Sequence, residues 1–199
     1  EAVLLTHFHS DHIAGLGDLN FNSWLSGRKS SLTVIGAKGV DQVVDGFNQA
    51  YSFDSSYRTR HHGADVLPLE VSTMKSQTIE PGVVYEKGEL VITAFRVDHS
   101  PIEPAVGYRF DYKGRSVAVS GDTVVTYEYQ RAVENVDLLL SDALSTVLVT
   151  KMSAAMAANG NRRTSKIIAD VLDYHASTTN LVKMAELANV KQLAFYHMV

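Results

Sequence analysis

The chain has 199 residues, 45% of them hydrophobic and 20% charged, a globular composition long enough for one sizeable core. Its net charge of −4 argues against a general nucleic-acid binder, whose domain is usually strongly basic, although a local basic groove stays open. The absence of cysteine excludes disulfides, thiolate metal ligands and a cysteine nucleophile, and no run reaches the roughly 18 apolar residues of a membrane span.

In chain order, residues 2–5 ("AVLL") read as a buried strand that ends at a cluster of histidines, and residues 12–25 suit a helix. "LTVIG" (32–36) reads as a second strand. Over 39–53, Val40, Val43, Val44, Phe47 and Ala50 fall at helical spacing, and the polar stretch 54–66 reads as loop. The period then changes to two. "VVYEKGELVITAFRV" predicts a hairpin turning near Lys87-Gly88, and "AVGYRFDYKGRSVAVSGDT" a second one turning at Lys113-Gly114. "VDLLLSDA" (136–143) is another buried strand. Helices are expected over 148–158, 163–173 and 178–188, and a last strand at "QLAFYH". Interspersed strands and helices with hairpins predict an α+β fold, two sheets covered by helices, as one domain over 1–199.

The chemistry concentrates in "THFHSDHIAGL" (6–16), which holds His7, His9, Asp11 and His12. Alternate residues of an extended segment share a side, so His7 and His9 point together. Asp11 and His12 follow where the strand breaks. Two imidazoles, a carboxylate and a third imidazole crowd a single tetrahedral ion but suit two adjacent ions, of zinc, manganese or iron. Further ligands are expected at strand ends, and three candidates stand there: His99 in "FRVDHSP", Asp122 in "VAVSGDT" and His197 in "QLAFYHM". Each alone could merely cap a strand; with the first cluster they form one consistent set.

H-x-H-x-D-H followed by a strand-end His, a "GDT" Asp and a late strand-end His resembles the metallo-β-lactamase superfamily. Within it, "DHSPIEPAVGYRF" (98–110), "SGDT" and "HASTTNLVKMAELANVKQLAFYH" resemble the ribonuclease Z branch. The resemblance implies an αββα sandwich. It implies that His7, His9 and His99 hold one metal and Asp11, His12 and His197 the other, with Asp122 bridging. It implies a hydroxide shared by two divalent ions, most simply zinc, with Asp11 orienting it or taking its proton. His175 would assist proton transfer at the scissile phosphate; read from the residues alone, it could equally hydrogen-bond its own helix start, where Ser177 and Thr178 resemble caps.

Members of the superfamily carry a strand-rich half before the first motif. The sequence is therefore expected to miss most of the N-terminal strands, to expose sheet edges and to form a homo-oligomer, as relatives of ribonuclease Z commonly do. No secretory signal is visible, so a cytoplasmic location is expected, with a lost leader left open.

Two departures stand against this. Ser141-Asp142-Ala143-Leu144 replaces the branch's His-Glu-Ala-Thr, with Asp142 as the substitute for Glu, and no Gly- and Pro-rich arm is present. Arg58, Arg60, His61 and His62 could hold an anionic substrate if their loop faces the metals; otherwise they are a solvated surface. Trp24, Tyr127 and Tyr129 read as packing or rim residues.

The expected function is thus a binuclear metal-dependent phosphodiesterase or endoribonuclease acting on RNA or a smaller phosphodiester. The alternatives are a hydrolase of the same fold on an arylsulfate, lactone or β-lactam, and a metal-binding fragment with little catalysis.

Overall fold

The computed structural model describes residues 2–198, so Glu1 and Val199, the ends of the expected single domain, lie outside the described residues. The chain divides between Glu80 and Pro81 into two compact units.

The N-terminal unit holds three strands, β1 (Ala2–Leu4), β2 (Leu32–Gly36) and β3 (Met74–Thr78), all parallel and ordered β1-β2-β3. Parallel neighbours need crossovers. The first contains α1 (Ser10–Ile13) and α2 (Leu16–Leu25); the second contains α3 (Val40–His62) and α4 (Leu69–Ser72). The expected helix over 12–25 is thus two helices, parted at Ala14 and Gly15. Apolar side chains from these elements, Leu5, Leu16, Leu32, Val34, Val40, Val44 and Met74, form one core cluster. Phe21, Trp24, Leu67 and Val71 form another, with Tyr51 packed against it.

Two sequence expectations need correction here. Residues 54–62 are not loop, because α3 runs on to His62. No glycine or proline falls between Phe47 and Gly63, and Arg58 Nε donates to Asp54 Oδ2 one turn back at 2.9 Å. Arg60, His61 and His62 sit in the last turn, where cations complement the helix dipole. The helix stops at Gly63, whose φ of 91° only glycine adopts readily. Strand β3 (MKSQT) was missed because only its Met74 is buried, so it shows no apolar alternation.

The C-terminal unit is a six-stranded sheet in sequence order: β4 (Gly82–Lys87), β5 (Leu90–Arg96), β6 (Val106–Tyr112), β7 (Arg115–Val119), β8 (Leu138–Ala143) and β9 (Leu193–Met198). The first four strands are antiparallel, and both predicted hairpins are present. Lys113 and Gly114 both have positive φ, the twist that matches a two-residue hairpin. Strands β7, β8 and β9 are parallel. They are joined through α5 (Tyr127–Ala132), then α6 (Thr146–Ala158), α7 (Arg162–Asp170), a 3-10 turn (Val171–Asp173) and α8 (Thr178–Leu187). Side chains of Thr126, Ser145, Asn161 and Ser177 cap α5, α6, α7 and α8, which explains where each helix starts. The core gathers Phe95, Ala118, Tyr129, Val133, Val136, Leu139, Leu181 and Met184. No helix among the described residues is long and apolar enough to cross a membrane.

Two contacts in this unit carry testable consequences. Gly107 on β6 faces Phe95 on β5; a Cβ there would lie 2.3 Å from the Phe95 ring and 2.9 Å from the Ser120 carbonyl. Gly107→Ala is therefore expected to lower stability by about 1–3 kcal/mol through overpacking, read from the urea midpoint. Asp137 accepts from Lys191 Nζ (2.7 Å), the Ser116 amide (2.7 Å) and Arg115 Nη1 (3.0 Å). The Lys191 hydrogen bond first, then the Ser116 amide, holds its carboxyl well below the usual carboxylate range. A depressed folded-state pKa stabilises fully above the unfolded value of about 4 and less as pH falls below it. The gap in urea midpoint between parent and Asp137→Asn is accordingly expected to be constant from pH 7 to about 4 and to shrink below that.

Candidate metal centre

In the N-terminal unit, β1 ends at Leu4, and the His9 carbonyl accepts from the amides of His12 (3.0 Å) and Ile13 (3.2 Å), starting α1. This turn folds His12 back toward the extended segment, so that its ring centroid lies 4.1 Å from that of His7, while His9 lies 4.8 Å from His7. Asp11 Oδ2 is 3.3 Å from His12 Nε2. His7 is buried, and Thr6 Oγ1 is 3.2 Å from its Nδ1, a hydrogen bond that orients the ring. The sequence cluster is thus a cluster in space within this unit.

The C-terminal unit places its candidates at one end of its strands. His99 follows β5, and its Nδ1 donates to the Tyr174 carbonyl at 3.0 Å. A carbonyl only accepts, so the proton is on Nδ1 and the lone pair on Nε2, the tautomer a metal ligand needs. That Nε2 is 3.9 Å from Asp122 Oδ2, and His197 Nε2 is 3.7 Å from the same oxygen. Both distances exceed a hydrogen bond. The segments bearing His99 and Asp122 are tied together: the Val124 amide donates to the Asp98 carbonyl (2.9 Å), and Thr123 Oγ1 accepts from the Asp98 amide (3.1 Å). Gly121, at φ 66°, turns the chain out of β7 so that Asp122 projects beyond its end.

His197 lies where the register between β8 and β9 shifts: Tyr196 pairs with Asp142 and Met198 with Ala143. The extra residue takes φ 45°, uncommon for a side chain with a Cβ, and the bulge re-aims the imidazole. Strain of this kind persists only where its surroundings enforce it and gathers at functional sites.

His175 precedes α8, and its Nδ1 donates to Asp142 Oδ2 at 2.8 Å. Asp142 has no exposed surface. Burial raises its pKa, while the hydrogen bond from His175 opposes the rise. The pair is held from both sides. The Asp142 amide donates to Ser120 Oγ (3.2 Å), the Leu144 amide to the Ala176 carbonyl (2.9 Å), and the Thr178 amide to the Leu144 carbonyl (3.1 Å). Ser177 does cap α8, but through its own side chain, which leaves the His175 ring to Asp142. Burial also pushes the Tyr196 phenol up to about 12, keeping it neutral beside Asp122 and Asp142.

A divalent ion fits these residues. The donors are imidazole nitrogens and a carboxylate oxygen, with His99 Nε2 and His197 Nε2 standing 3.9 and 3.7 Å from Asp122 Oδ2. A lone-pair nitrogen of His99 facing a carboxylate oxygen is the juxtaposition that a cation relieves.

Arg58, Arg60, His61 and His62 stand on the last turns of α3: Arg58 pairs with Asp54 and lies over Phe21, Arg60 lies over Tyr57, and the rings of His61 and His62 are 4.7 Å apart. Sequence reasoning missed Tyr174, whose ring packs against His99 (5.2 Å) and His175 (4.8 Å), and Ser120, which anchors Asp142. The adjacency of Tyr174 to His175 was the only signal for the former; nothing local marks the latter.

A family model described as a beta-lactamase superfamily domain matches residues 1–198. The chain is 32% identical over 201 residues to ribonuclease Z of Mycolicibacterium gilvum, covering all of this chain and 65% of that protein. It is 31% identical over 204 residues to ribonuclease Z of Mycobacterium bovis, covering all of this chain and 67% of that one. The chain thus spans about two thirds of the length of these curated relatives. The crystal structure of human tRNase Z, short form, shares the fold, with a TM-score of 0.64 at 18% identity over 99% of this chain and 71% of that one. The chain belongs to the metallo-β-lactamase superfamily and, within it, to the ribonuclease Z-like branch.

Elemental analysis after zinc loading distinguishes the roles of these residues. His99→Ala, Asp122→Ala and His197→Ala are expected to lower the metal content, whereas His175→Ala, which removes a ring already hydrogen-bonded to Asp142, is expected to leave it near the parent level.

Proposed function

We infer that the chain is a binuclear metal-dependent phosphodiesterase, an endoribonuclease of the ribonuclease Z kind. The observation that carries this reading is the buried His175–Asp142 pair set beside Asp122 and His197, a proton-transfer group adjoining a metal-binding group. The names of the relatives support an RNA phosphodiester as substrate. A family match running from residue 1 to 198 supports reading 1–199 as a single metallo-β-lactamase-like domain. In this reading His7, His9 and His99 would hold one ion, Asp11, His12 and His197 the other, and Asp122 would serve both. Two such ions, zinc or else manganese or iron, supply Lewis acidity toward water and phosphate.

The chain's own residues do the rest. Asp11, the most exposed of the carboxylates named, orients the attacking water or takes its proton. His175, its Nδ1 proton held by Asp142, has Nε2 for proton delivery to the leaving oxygen. Asp142 sits behind the ring, out of a substrate's reach, and is a positioning residue rather than a substrate contact. It performs with one methylene fewer the task of the Glu that the branch carries at this place. Homo-oligomeric assembly and a cytoplasmic location belong to the same reading.

The Ser141-Asp142-Ala143-Leu144 departure favours a second reading, a hydrolase of this fold acting on another ester such as an arylsulfate or lactone. Turnover of bis(p-nitrophenyl) phosphate by the zinc-loaded chain, followed by precursor tRNA, separates the two. Phosphodiester turnover with tRNA cleavage that falls steeply with salt supports the first; aryl sulfate or lactone turnover alone supports the second. His175→Ala and Asp142→Ala are expected to lower kcat on precursor tRNA by about 100-fold or more with metal content retained, the range for loss of a general acid. Unchanged kcat in both variants would remove His175 from the mechanism.

A further inference from the structure

The outer face of α3 carries two large aromatic side chains in solvent, Phe53 at 72% exposure and Tyr57 at 55%. They stand one turn apart, and their rings are stacked with centroids 6.2 Å apart and planes 26° from parallel. The next residue on that face, Arg60, lays its guanidinium over the Tyr57 ring at 5.3 Å. His61 and His62 follow, both exposed. The helix dipole accounts for basic residues in the last turn. It does not account for Phe53 and Tyr57, which a helix with an apolar face already buried through Val40 and Val44 has no need to expose.

The stretch 53–62 carries Arg58 and Arg60 against Asp54, one positive charge in excess within a chain of net charge −4. Arg58 and Asp54 pair at 2.9 Å, so the excess charge is that of Arg60, the cation that lies over the Tyr57 ring. Flat rings in register with a planar cation and adjacent imidazoles make a platform for unpaired bases, with the cations toward the phosphates. A protein partner would call for large aliphatic neighbours around the rings, but the exposed positions flanking them are Gln49, Ala50, Ser52, Arg60, His61 and His62, of which only the small Ala50 is apolar.

We propose that the Phe53–Tyr57–Arg60 face of α3 binds single-stranded RNA by base stacking, as a surface separate from the residues that carry out hydrolysis. This deepens the phosphodiesterase reading, since an RNA substrate would be engaged beyond its scissile bond, but binding can be measured without catalysis. The probe is a fluorescein-labelled oligouridylate of about 12 nucleotides, within the span of known single-strand sites, followed by anisotropy with the full chain in EDTA.

Phe53→Ala and Tyr57→Ala are each expected to weaken binding about 10-fold, while Tyr57→Phe, which keeps the ring, stays near the parent. Arg60→Ala is expected to lower the slope of log affinity against log salt by about 1. Binding by the Phe53→Ala/Tyr57→Ala double variant within twofold of the parent overturns the proposal. So does a double variant that changes the sedimentation coefficient while its RNA affinity holds, which would make the face a protein contact. Failure of the zinc-loaded parent to turn over bis(p-nitrophenyl) phosphate, with the ring-dependent RNA binding intact, would count against the hydrolase reading alone and support the RNA-binding face.

Discussion

A carboxylate without exposed surface, Asp142, holds the imidazole of His175 at 2.8 Å, and much of the C-terminal unit serves to keep that pair in place. A buried charge is tolerated only when paired and hydrogen-bonded, and removing one partner of such a pair typically costs about 3–5 kcal/mol. The sheet meets this demand by geometry. Asp142 is the last residue but one of β8, which lies between β7 and β9, so Ser120, just past β7, stands on one side and Tyr196 of β9 on the other. Beneath it Ser141 Oγ accepts from the Tyr129 hydroxyl at 2.9 Å, and Tyr129 stacks on Phe95 with planes 9° apart. Polar fixation of the site and apolar packing of the core therefore meet at β8.

The parallel arrangement of β7, β8 and β9 explains why the candidate residues of this unit gather at one end of the sheet. Parallel strands present all their C-terminal ends on the same side, where the chain must leave for a crossover. Asp122 beyond β7, Asp142 at the end of β8 and His197 on β9 all lie there. His99 comes from β5, whose direction matches that of β7 because both are antiparallel to β6. The Asp98–Val124 bridge then ties the two exits together. Local irregularities do the final aiming: positive φ at Gly121, and a left-handed bulge at His197 in the middle of a strand pairing.

The N-terminal unit uses a different device at its histidines. There a single turn of helix, capped by the His9 carbonyl, compresses His7, His9 and His12 into ring contact. The His7 and His12 rings approach to 4.1 Å between centroids, so one short turn sets imidazole donors side by side. The same unit spends its longest helix, α3, differently at its two halves: the first packs into the core through Val40 and Val44, and the second lifts Phe53, Tyr57 and Arg60 into solvent.

The sequence alone carried the ligand types and the strands that bear them. Metal-binding residues are spaced by strand and turn geometry, and alternation and hairpin glycines survive in one dimension. His7, His9, Asp11, His12, His99, Asp122 and His197 were legible as candidates for that reason, and both hairpins and the last strand were legible as structure. It also exposed Asp142 as a departure, but not its role, because the partner of Asp142 lies 33 residues away and is brought to it through the Leu144–Ser177 bridge. Ser120 and Tyr174 were invisible for the same reason: each acts through a hydrogen bond that depends on which strand lies beside which. Residues 54–62 read as loop from polar composition, whereas the helix continues there because no glycine or proline interrupts it before Gly63 and an i,i+4 ion pair supports it. Local chemistry is written in the order of residues; which side chain orients which is a property of strand order, and that exists only once the chain has folded.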